Sequence, residues 1–182
     1  GDEEYVRRIF RTALGSIRKN GKSKVPLLLD ELNTHAATIQ KEKFQPLITA
    51  LFSIADEINR KEDGDRGGFR IRNNSRIHWL CHKLTWERCS LDERDAIFMA
   101  ACKTAQLGWL VDFTSSQEAN YHPRDGKEPT PLEKCSVKKE SLPELKSHTI
   151  NRIRAAAQSG ELASHAELLS ILFRWGELAD DD

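Results

Sequence analysis

The sequence predicts an all-α fold: a multi-helix bundle of about eight helices with one long polar loop near residues 115–140. Three observations lead there. Apolar residues recur at steps of three and four along most of the chain, the spacing that builds one face of a helix. No segment alternates apolar and polar residues for long enough to make a strand; Phe69 and Ile71 between Arg70 and Arg72 are too few. Helix punctuation, in the form of capping boxes, early Pro and late Gly or Asn, falls between the periodic stretches.

Taken in order, Tyr5, Val6, Ile9, Phe10, Ala13, Leu14 and Ile17 form the first helical face, and Asn20-Gly21 supplies residues that tolerate positive φ and so a stop. Pro26 suits the first turn of a second helix carrying Leu28, Leu32, Ala36 and Ile39. Pro46 does the same for a third, with Phe44, Leu47, Ile48, Leu51, Ile54, Ala55 and Ile58 inward. A fourth places Ile77, Leu80, Cys81 and Leu84 at core spacing. Ser90-Leu91-Asp92-Glu93 is a capping box and opens a helix with Ile97, Ala100, Ala101 and Thr104; Gly108 then links to Trp109, Leu110 and Phe113.

Residues 115–140 are polar and hold Pro123, Pro129 and Pro131, which reads as a long surface loop, partly mobile. Two further capping boxes follow. Ser141-Leu142-Pro143-Glu144 opens a helix with Leu145, Thr149, Ile153 and Ala156 that stops at Gly160. Ser164-His165-Ala166-Glu167 opens one with Leu168, Leu169, Ile171, Leu172 and Trp175. Residues 1–182 are expected to form a single helical domain, with sub-groups 1–60 and 74–176 joined by a Gly/Arg-rich loop at 61–73. The start at Gly1 and the single Met, Met99, suggest a fragment of a longer chain.

Composition narrows the function classes. At 38% apolar and 31% charged, the chain is polar for a globular domain, as helices with one buried stripe and long solvated faces are. Lys plus Arg and Asp plus Glu both count 28, so a globally basic nucleic-acid binder is not indicated and such a role needs a local patch. The four Cys fall in or beside helical patterns and no leader-like stretch opens the chain, which favours reduced thiols and a cytoplasmic location. No apolar run reaches the length of a membrane span.

Several clusters carry candidate chemistry. Gly15 to Gly21-Lys22-Ser23 resembles a phosphate loop, but it has one residue too many between its glycines and follows a helix instead of a strand, so it reads as a helix stop. His78, Cys81, His82 and Cys89 are zinc-ligand types whose spacing matches no common zinc module; they are weak metal candidates and no metal is assigned. Arg66, Arg70, Arg72 and Arg76, with Gly67, Gly68 and Phe69, could hold phosphate and stack on a base, although Glu62, Asp63 and Asp65 offset their charge. Trp79 and Trp86 share a helical stripe and suit either the core or a partner contact. No Ser/His/Asp arrangement, paired-carboxylate signature or HExxH is present, and Asp92, Glu93 and Asp95 fit a helix N-terminus. No catalytic residue is assigned.

The order of short motifs is similar to that of the C-terminal helical region of the KAP family of P-loop NTPases. The motifs are Ala55-Asp56-Glu57-Ile58, Gly67-Gly68-Phe69, Asn73-Asn74-Ser75-Arg76, Leu91-Asp92-Glu93-Arg94, Ile150-Asn151-Arg152-Ile153-Arg154-Ala155-Ala156-Ala157 and Leu172-Phe173-Arg174-Trp175-Gly176. The resemblance spans residues 44–176. It implies a non-enzymatic helical domain attached to an NTPase core that binds ATP and Mg²⁺ through Walker motifs absent here, so this chain has no cofactor of its own. It also implies a bacterial, phage-defence setting, and as partner the NTPase core, another protein or a second copy. The alternative from the residues is a helical nucleic-acid module using the Arg66–Arg76 loop.

Overall fold

The computed structural model describes residues 1–16, 18–63, 76–160 and 165–177. Among them eight α-helices follow one another and no strand occurs: α1 (Asp2–Gly15), α2 (Val25–Thr34), α3 (Phe44–Asp63), α4 (Arg76–Thr85), α5 (Leu91–Cys102), α6 (Leu107–Tyr121), α7 (Leu142–Gln158) and α8 (His165–Arg174). The all-α bundle expected from periodicity is what forms. No helix among the described residues is long and apolar enough to cross a membrane.

α3 is the hub. Every residue expected to face inward from it, Phe44 to Ile58, is buried, and so are Ala50 and Phe52. It packs chiefly against α1 and α5, and next against α6 and α4, so a stripe on one side would not suffice. Phe52 sits at the centre: its ring lies 5.2 Å from both Trp109 and Phe113, edge-on, and 5.9 Å from Phe98. Phe98 and Phe113 stack at 5.5 Å. These contacts tie α3, α5 and α6 through aromatic area that contributes more than its burial alone. The main core draws on residues from Phe10 to Leu145, so the stretches before 60 and after 74 share it. A second cluster joins α6, α7 and α8 through Val111, Ile150, Ile153, Leu168, Ile171 and Leu172.

Several boundaries and faces differ from expectation. α1 ends at Gly15, and Asn20-Gly21 forms a separate turn with Gly21 at φ 77°. Its core stripe is narrow: Phe10 and Leu14 are buried, whereas Tyr5 and Ile9 point outward, since α1 is covered on one side only. Ile17 lies outside the described residues. α2 buries Val25 and Leu29 and stops at Thr34, leaving Ala36 in a short 3-10 turn. α5 ends at Cys102, and its buried face is Arg94, Phe98, Ala101 and Cys102; Thr104 is exposed beyond the end. Gly108 belongs to the first turn of α6, where its N–H donates at 3.0 Å to Asp56 Oδ2; the carboxylate, carried on α3, thereby caps the start of α6 from a distance. α7 keeps its expected face and ends before Gly160 at φ 72°. In α8, Leu169 faces outward and Trp175 follows the helix end.

The largest correction concerns residues 115–140. α6 continues to Tyr121; residues 122–134 form a largely exposed loop as expected, and residues 135–137 are pinned to the core. Gln117, fully buried, accepts the Ser136 N–H at 3.2 Å and the Val137 N–H at 3.3 Å, and the Tyr121 hydroxyl donates to the Val137 carbonyl at 2.7 Å. Cys135, Ser136 and Val137 are buried in consequence. The Gln117 and Tyr121 side chains are the hydrogen-bonding groups that let this stretch of loop backbone enter the core. The Ser141 box is not made either: Ser141 ends a 3-10 turn in helical conformation and its side chain caps nothing. Ser164 lies outside the described residues.

Candidate functional site

α4 presents two faces. Ile77, Leu80, Cys81 and Leu84 turn inward and are buried. Arg76, Trp79, His82, Lys83 and Trp86 recur at helical spacing on the opposite stripe. Trp79 is 58% exposed, which corrects a core reading for it. Its ring leans on His82 at 6.4 Å, and His82 lies 4.9 Å from Trp86, giving a ladder of three rings. Lys134 closes the far end with its ammonium 5.1 Å from the Trp86 ring, a cation–π contact.

Arg94 fixes the base of this ladder. Its guanidinium, 3% exposed, donates to the carbonyls of Trp86 at 3.2 Å, Cys89 at 3.4 Å and Leu132 at 3.1 Å. One cation thereby satisfies the frayed end of α4 and draws the Leu132–Lys134 turn against it. The Leu132 side chain is exposed. Burial lowers the proton affinity of His82, and the positive charges of Arg94 and Lys134 lower it further. Lys83 reaches the Asn33 carbonyl at 3.1 Å, and Arg88 reaches the Ala36 carbonyl at 3.2 Å while lying over Phe44.

The other sequence candidates disperse. Arg66, Arg70 and Arg72 lie outside the described residues, while Arg76 forms an ion pair with Asp30 at 2.9 Å. His78 sits between the ladder and the core, 6.0 Å from both Trp109 and Phe113, and burial pushes it down to about 4. Cys81 and Cys89 are buried free thiols, with Cys81 driven strongly upward by burial. These four metal candidates are not brought together, and no group of three His, Cys, Asp or Glu among the described residues could hold an ion. The Gly15–Ser23 segment follows a helix, and its Ser23 hydroxyl accepts the Val25 N–H at 3.4 Å.

A concavity of about 430 Å³ lies where α6 ends beside α7 and Trp175. Lys146 crosses it, bound to Glu118 at 3.1 Å and lying 5.6 Å from the Trp175 ring, so its charge is already used inside the molecule. The α4 face has no such internal closure at Trp79. Leu132, Lys134 and Arg94 were missed by sequence reasoning. The first two lay in the supposed loop, and Arg94 resembled any charged residue near a helix start. The helical spacing of residues 76, 79, 82, 83 and 86 was the readable signal. No family model, curated protein or solved structure matches this chain.

Proposed function

We propose that this chain is a non-catalytic helical domain whose role is protein–protein interaction through the outer face of α4. One observation carries the reading. A large aromatic side chain, Trp79, stands 58% exposed at the end of a row of three rings, Trp79, His82 and Trp86. Trp is among the residue types most enriched in interface hot spots. The KAP-like order of short motifs supports an NTPase core, in the same protein or another, as the partner. The domain then couples ATP turnover in that core to an output, which in bacterial members of the family is linked to phage defence.

Two experiments test this. The chain alone, titrated with Mg·ATP by calorimetry and assayed for phosphate release, should give neither binding nor turnover; either one overturns the non-catalytic reading. A photo-crosslinking amino acid placed at Trp79, with the exposed loop residue Lys127 as the control position, should give a discrete protein adduct at 79 alone. Equal adducts at both positions, or none, removes α4 as the interface.

A further inference from the structure

No further inference is drawn: the strongest candidate, the concavity between the end of α6, α7 and Trp175, carries nothing, because Lys146 is already held by Glu118 and Glu177 by Arg154 and nothing in the structure shows what would fill it.

Discussion

The Arg94 guanidinium donates to the carbonyl of Leu132 at 3.1 Å, joining a helix start to a turn 38 residues further along the chain. The same group serves Trp86 and Cys89, so three backbone carbonyls from two segments depend on one buried cation. Arg94→Met keeps much of the side-chain volume and removes every donor. The expected cost is about 2–4 kcal/mol, because the carbonyls lose their partners in a site that water reaches poorly. Urea unfolding should show it, and hydrogen exchange should rise first at Leu132–Lys134 and at Trp86–Cys89. Equal stability and exchange would mean the turn is held by other contacts.

The caps offer a sharper contrast, since two boxes with the same sequence pattern behave differently. The Ser90 hydroxyl accepts the Glu93 N–H at 3.2 Å, and the Glu93 carboxylate accepts the Ser90 N–H at 2.7 Å. Ser141 makes no such bond. Ser90→Ala should cost about 1 kcal/mol, and Ser141→Ala should stay within about 0.5 kcal/mol. Thermal melts of the two variants side by side decide it; equal losses would overturn the assignment.

That contrast shows where sequence stops informing structure. α3 was readable residue by residue because its apolar stripe repeats over five turns and every member is buried. Local pattern could not separate Ser90 from Ser141, because a cap needs an extended backbone at the cap residue. Ser90 has ψ 166°, while a preceding 3-10 turn leaves Ser141 at ψ −13°. Nor could it place Gln117 and Val137 in the core, because the bonds that bury them join residues about twenty apart. The site was half legible. The stripe from Arg76 to Trp86 has helical spacing, but α4 carries apolar residues on both faces, and only packing decides which face is covered.

His78 should make stability fall in mild acid. Burial holds its folded proton affinity down at about 4, against 6.5 when unfolded. Between those values the unfolded chain binds a proton that the folded chain does not. The contribution is therefore intact above pH 6.5 and is lost as pH falls towards 4. The full effect is of order 3 kcal/mol. His82 shifts in the same direction. The check is a urea midpoint series across this window for the wild type and His78→Phe. The variant's slope should be shallower whatever its baseline stability. Parallel slopes would show that His78 takes up its proton in the folded state without penalty.

The two tryptophans give the cleanest separation of fold from function. Trp109 is 1% exposed, meets Phe52 edge-on at 5.2 Å and fills the joint between α3 and α6. Trp79 is 58% exposed and leans only on His82 among the aromatic rings. Truncating Trp109 to Ala leaves a large void among rings that cannot collapse into it, so the expected loss is about 3–5 kcal/mol. Truncating Trp79 removes little buried area, so the loss should stay within about 1 kcal/mol. Denaturant unfolding of both variants measures the difference. If Trp79→Ala proves as costly as Trp109→Ala, Trp79 is a structural residue and α4 loses its claim as an interaction face.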